Sequence, residues 1–252
     1  MAAKENREVT RRRVLATAGL SAGGLLAFAR SGSAQERTKR AEERAEKAQE
    51  KAKQAEKEET RVSAPEDLMR EHAVLDRLLL IYERIAARQS RGDQWPAKTL
   101  AESARLIQRF VEEYHQKLEE DYVFPAFEKA GRHTELVVVL RKQHDAATAL
   151  TRSILKDASE PKEKADVRRL TRDMRAYVRM YLPHSAREGS VLFPDLHIVV
   201  APKEYDEMGD RFEEIEDKRF GENGFRKVVD QVAELEKTVG TYDLAEFTPK
   251  VV

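Results

Sequence analysis

The chain contains no cysteine, which excludes disulfides, thiolate zinc sites, Cys-ligated iron–sulfur clusters and cysteine nucleophiles. It carries no excess of either charge, because 46 Lys and Arg balance 46 Asp and Glu. Phosphate binding needs an uncompensated basic face, so nucleic acid is not expected as a partner. Glycine and proline are sparse, 11 and 8 in 252 residues, which favours long helices over turn-rich sheets. No nucleophile triad, glycine-rich phosphate loop or dinucleotide fingerprint occurs, so hydrolase and nucleotide-enzyme readings have no support. The apolar stretch from Val14 to Ala29 is shorter than the roughly 20 residues a spanning helix needs.

The N-terminus does hold an ordered set of signals. A twin arginine in Thr10-Arg11-Arg12-Arg13-Val14-Leu15 precedes the Ala- and Gly-rich stretch to Ala29, and the small residues Ser31-Gly32-Ser33-Ala34 follow. This resembles a bacterial twin-arginine signal peptide over 1–34, with Ala34 or Ala29 as the cleavage point. It implies export through the twin-arginine machinery to a periplasmic or other extracytoplasmic location, or a membrane tether if the signal is retained. Residues 36–60 contain no Val, Ile, Leu, Met or aromatic side chain. With no face to bury they cannot form a coiled-coil seam, yet their propensity is helical. The segment 35–62 is therefore expected to be a solvated helical or disordered spacer, up to roughly 35–40 Å long if fully helical.

The body begins at Ser63-Ala64-Pro65-Glu66, a capping box with an early proline. Four helices are predicted: to about Gln89, from about Pro96 to Lys129 with a bend or interruption at Pro125, over about 133–157, and from Ser159-Glu160-Pro161 to about Pro194. Each has an apolar stripe that includes polar residues. These are Leu68, His72, Leu75 and Leu79; Ile107, Val111, His115, Leu118 and Tyr122; Leu136, Leu140, His144 and Ala147; and Leu170, Met174, Tyr177, Tyr181, His184, Glu188 and Val191. Short connections make neighbours antiparallel. The expected fold is all-α, an up-down-up-down four-helix bundle over 63–196, extended by two helices in 197–252 with a turn at Phe220–Phe225. The extension has no histidine beyond His197, and no chemistry is expected of it.

The chain has six histidines, and four follow a repeat. Residues 115–125 and 184–194 each read His-x-x-x-Glu, then an apolar pair, then Phe-Pro. A lone histidine precedes each at similar distance, His72 and His144. His and Glu at i and i+4 lie one above the other on a helix, so the two copies can converge. Four imidazoles and two carboxylates, His72, His115, Glu119, His144, His184 and Glu188, suit two first-row transition metal ions, with Glu119 and Glu188 as bridge candidates. Iron is the first choice, then manganese, with zinc as a structural option. A single His-x-x-x-Glu usually marks a surface pair; two copies at matched intervals do not. His133, in a turn, reads as solvated or capping, and His197 as structural. Glu71, Glu120 and Asp145 adjoin the ligands but point elsewhere on their helices, as supporting or surface groups. Pro183 inside the last helix predicts a kink or bulge beside His184.

These residues resemble the hemerythrin-like domain with its His-His-Glu cation-binding repeat. The matching stretches are Met69-Arg70-Glu71-His72, His115 to Pro125, Lys142-Gln143-His144 and His184 to Pro194. The resemblance implies a four-helix bundle holding a non-haem di-iron centre on those six residues. Oxygen-carrying hemerythrins have a second histidine where this chain has Thr148, and an aspartate where it has Gly189. A site poorer in imidazole counts against reversible oxygen carriage but not against di-iron. The resemblance implies binding of, or reaction with, a small oxidant: oxygen, peroxide or nitric oxide. The alternatives are iron storage, oxygen or redox sensing, or a structural metal-binding bundle. The sequence does not decide between enzyme and carrier.

Overall fold

The computed structural model describes residues 39–40, 42–44, 46–47, 62–159 and 164–251. The expected signal at 1–34, most of the spacer and the expected helix start at Glu160-Pro161 lie outside them. The described residues between 39 and 47 are helical and exposed, and belong to a unit separate from the body, Glu58–Val252.

Every regular element of the described body is helical. Helix α1, Ala64–Arg91, starts on Ser63, whose Oγ accepts from the Glu66 N–H at 3.4 Å, and stops at Gly92 in the left-handed conformation. Helix α2 runs from Ala97 to Ala130 in five consecutive pieces: Ala97–Leu106, a π-helical Ile107–His115, Gln116–Leu118, a π-helical Glu119–Val123, and Phe124–Ala130. Helix α3 is Thr134–Ser159. Helix α4 comprises Lys164–Arg187, a π-helical Glu188–Leu192 and Phe193–Val199. Helices α5, Pro202–Phe220, and α6, Gly224–Val239, follow, then a 3-10 turn at Leu244–Phe247. Among the described residues no helix is long and apolar enough to cross a membrane.

Helix α1 packs along α4 and α2, α3 along α4, and α2 along α3; α5 and α6 lie on α1, and α6 also touches α2. The predicted stripes form the core. Leu68, Leu75, Leu79, Ile107, Val111, Leu118, Leu140, Ala147, Leu170, Met174, Tyr177 and Tyr181 are buried. Burying each of the larger side chains contributes about 1.5–3 kcal/mol.

Pro183 lies inside helix α4 without ending it, and the π-helical turn of α4 comes later, at Glu188–Leu192. Of the three π-helical stretches, two come immediately before Phe124-Pro125 and Phe193-Pro194, and each of these begins at the glutamate of a His-x-x-x-Glu motif; the third, Ile107–His115, has no proline directly after it. Proline has no N–H and its ring clashes with the carbonyl four residues back, so a looser i→i+5 turn ahead of it relieves both. Arg141 from α3 takes up one freed carbonyl, donating from Nη2 to the Glu120 oxygen at 3.4 Å.

Candidate metal centre

The six predicted ligands come from all four long helices and meet in the core. His72, His115, His144 and His184 are 6% exposed or less, and Glu119 and Glu188 are fully buried. They form two overlapping groups, His72–His115–Glu119 and Glu119–His144–His184–Glu188, each with ligand atoms within 4.8 Å of one another. Glu119 is shared. Its Oε1 faces His115 Nε2 at 3.4 Å and His72 Nε2 at 3.9 Å, and its Oε2 faces His144 Nε2 at 3.4 Å. Glu188 Oε2 lies 3.1 Å from His184 Nε2 and 3.4 Å from His72 Nε2. Two donors each about 2.1 Å from a common cation sit about 3.0–3.4 Å apart, which is the spacing of most of these pairs.

Hydrogen bonding marks the same atoms. All four Nε2 atoms and all four carboxylate oxygens are buried with no hydrogen-bond partner among the described residues. Buried polar atoms are normally satisfied, and burying a carboxylate without partners is costly. Eight such atoms converging on one region fit a bound cation pair. The other face of three imidazoles is held from outside. His115 Nδ1 bonds Glu71 Oε2 at 2.7 Å, His144 Nδ1 bonds Glu120 Oε1 at 2.9 Å, and His184 Nδ1 bonds Gln143 Oε1 at 2.9 Å. Carboxylate or amide oxygens in that position put the proton on Nδ1 and leave Nε2 as the metal-facing lone pair.

The electrostatics agree. Burial alone would pull the His115 imidazole down, but Glu119 and Glu71 hold it well above its usual pKa. His144 is raised to about 9: burial opposes this, and Glu119 and Glu120 outweigh it. Burial pushes Glu119 up, yet His115 and His144 hold it well below the carboxylate range. Glu188 is lowered by His184 and His72 against burial and the repulsion of Glu119. Such a site attracts positive charge, and a metal must displace protons from it, so affinity falls with falling pH.

The repeated Phe-Pro gains a purpose here. Phe124, from the first copy, stacks on His144 at 5.4 Å, and Phe193, from the second, stacks on His72 at 5.4 Å. Each copy thus covers a lone histidine of the site. Tyr181 lies against His184, ring centroids 4.8 Å apart, and its buried hydroxyl accepts from Gln116 Nε2. Tyr122 lies instead against Phe212 of α5.

The remaining histidines stand apart. His133 bonds Asp195 at 2.7 Å from a left-handed backbone conformation, and its carbonyl accepts from the Val137 N–H at 3.0 Å. His197 Nδ1 approaches the Pro194 carbonyl at 2.7 Å. Asp145 is exposed. Glu71 and Glu120 are closer to the chemistry than their helix angle suggested, because each reaches sideways to an imidazole on another helix. At Gly189 a Cβ would meet nothing within 4 Å, so packing does not demand glycine there.

Residues 63–196 match the family model of the hemerythrin HHE cation binding domain. Over 243 residues the chain is 44% identical to uncharacterized proteins of Mycobacterium tuberculosis and Mycobacterium bovis, covering 96% of this chain and 91% of each relative. No solved structure matches.

Proposed function

Because the chain belongs to the hemerythrin HHE cation-binding family, we propose that it is an exported protein whose six buried ligands hold two iron ions for reaction with a small oxidant: oxygen, peroxide or nitric oxide. In this reading α1–α4 form the up-down-up-down bundle of the family, 1–34 is the signal read by the twin-arginine machinery, 35–62 is the spacer, and 197–252 is an extension. The protein then works outside the cytoplasm. The observation that carries the metal assignment is the set of eight buried, unpartnered donor atoms on His72, His115, Glu119, His144, His184 and Glu188.

A bound iron pair supplies one-electron redox chemistry and an open position for a small ligand. The side chains do the rest. Glu119, with one oxygen toward His72 and His115 and the other toward His144, is suited to bridge. Glu71, Glu120 and Gln143 fix ring orientation and tautomer. Phe124 and Phe193 exclude water from two of the imidazoles. Burial, and then the negative charge of Glu119, push the Tyr181 hydroxyl well above its usual pKa, so it keeps its proton beside the centre and can donate a hydrogen bond there.

The test is iron per chain and the visible–ultraviolet spectrum, before and after peroxide, on protein from iron-supplied cells. About two irons with an oxo-bridge charge-transfer band supports the reading; a colourless zinc-bound or metal-free chain ends it. Rapid gas evolution from peroxide identifies an enzyme, and slow bleaching a sensor or store. His115→Ala is expected to lose metal and stability together. A full metal complement in that variant would remove His115 from the ligand set.

A further inference from the structure

A second group of acids lies outside the histidine cluster. Asp67 and Glu71 of α1 and Glu216 of α5 bring ligand atoms within 4.8 Å of one another. Asp67 is 4% exposed and Glu71 1%. Asp67 Oδ1 faces Arg70 at 3.7 Å, whereas its Oδ2 has no partner among the described residues. Glu71 spends Oε2 on His115; its Oε1 makes no hydrogen bond of normal geometry, although the buried Tyr114 hydroxyl lies close enough that, after burial, Glu71, Asp67 and Glu216 raise its pKa. Glu216 accepts from the Phe225 N–H at 2.7 Å with Oε1. On the outer side is a surface recess of about 540 Å³, lined by Asp67, Glu213, Glu216 and Asp217 against Arg70 and Arg226. Arg226 is already 3.5 Å from Asp230, and Arg70 lies over the Phe225 ring at 4.6 Å. The positive charge at hand does not balance the acids.

We propose that Asp67, Glu71 and Glu216 form a separate divalent-cation site between the bundle and the C-terminal extension. The donors are all oxygen, which suits hard ions such as Mn²⁺ or Mg²⁺. Two oxygens without a normal hydrogen bond on buried carboxylates point to a ligand for the reason given for the histidine centre: an unpaired buried anion is costly and a cation relieves it. The site shares Glu71 with the second sphere of His115, and it ties α5 to α1.

The experiment uses the full chain with its histidine centre filled with iron, titrated with Mn²⁺ and followed by the loss of the free Mn²⁺ EPR signal. Wild type is expected to take up one Mn²⁺ per chain, with a rise in Tm by mass action. Asp67→Asn and Glu216→Gln should each weaken that uptake at least tenfold and abolish the Tm rise, with iron content unchanged. The amide introduced by Glu216→Gln keeps an acceptor for the Phe225 N–H, so a folding defect is not expected there. No Mn²⁺ uptake by the iron-filled wild type overturns the site, as does uptake by both variants as tight as wild type; either result leaves the iron reading intact. A chain that holds no iron yet binds a Mn²⁺ that Asp67→Asn removes supports this site while ending the reading of the histidine centre.

Discussion

His133 and His115 both pair with an acid at 2.7 Å, but only His115 keeps a buried, unpartnered nitrogen on the far side of its ring. That second nitrogen separates a ligand from a strut. His133 holds Asp195 while its backbone sits at φ 53, where a Cβ costs about 1 kcal/mol or more. Two variants separate its roles. His133→Ala loses the hydrogen bond and keeps the strained backbone; His133→Gly loses the same bond and relaxes the backbone. Thermal or denaturant melts should place the glycine variant above the alanine variant by roughly 1 kcal/mol, with metal content at the wild-type level in both. Metal loss in either would mean that Asp195 and the turn shape the centre. The six inner residues were legible because periodicity and repetition both mark them. For Glu71 and Glu120 only a supporting or surface place was legible, not which imidazole each holds, because the partner of each is on another helix and no local spacing encodes that.

The helices were legible from stripe periodicity and caps, and their π-helical pieces were not. Nothing local to Glu119–Val123 or Glu188–Leu192 announces an i→i+5 turn. The signal is the proline that follows: the interruption expected at Pro125 lies just ahead of it, whereas in α4 the expectation falls on Pro183 and the π turn comes ahead of Pro194. Two glycines in helices make opposite predictions. Gly189 lies in the π turn of α4 with open space where a Cβ would go, so Gly189→Ala should stabilise by about 0.5–1 kcal/mol through the unfolded chain and leave metal content unchanged. Gly209 lies in α5 where a Cβ would meet the Val62 carbonyl oxygen at 2.7 Å and the Ala64 nitrogen at 3.4 Å. That contact is with backbone, which cannot swing aside, so Gly209→Ala should destabilise by about 1–3 kcal/mol. Equal melting temperatures for the two variants would contradict the close approach of α5 to the start of α1.

At the scale of the whole molecule, the extension was legible as two amphipathic helices but not as a contributor of charge to the body. Glu236 of α6 is buried and held by Arg77 of α1 through two bonds, 2.9 and 2.6 Å, and Glu216 of α5 completes the acidic group around Asp67. The group leaves a signature in global stability. Burial, then Glu71 and Glu216, raise the Asp67 pKa from 3.8 to about 7. A carboxyl with a higher pKa folded than unfolded binds more protons in the native state between those values. Stability from this group is therefore greatest at low pH and is lost as pH rises toward 7. Glu119, with its depressed pKa, has the opposite slope, but below the ordinary carboxylate range. His115 and His144, with raised values, lose their contribution only above about 6.5. The window from pH 5 to 6.5 thus isolates Asp67 from the histidine centre, although Glu216 and Glu112, also raised by burial, add slopes of the same sign. In metal-free protein, wild type should lose about 2 kcal/mol more than Asp67→Asn across that window, measured as unfolding free energy at fixed temperature. Parallel pH profiles would show that Asp67 is already ionised in the native state, and with it that the extension imposes no charge burden on the bundle.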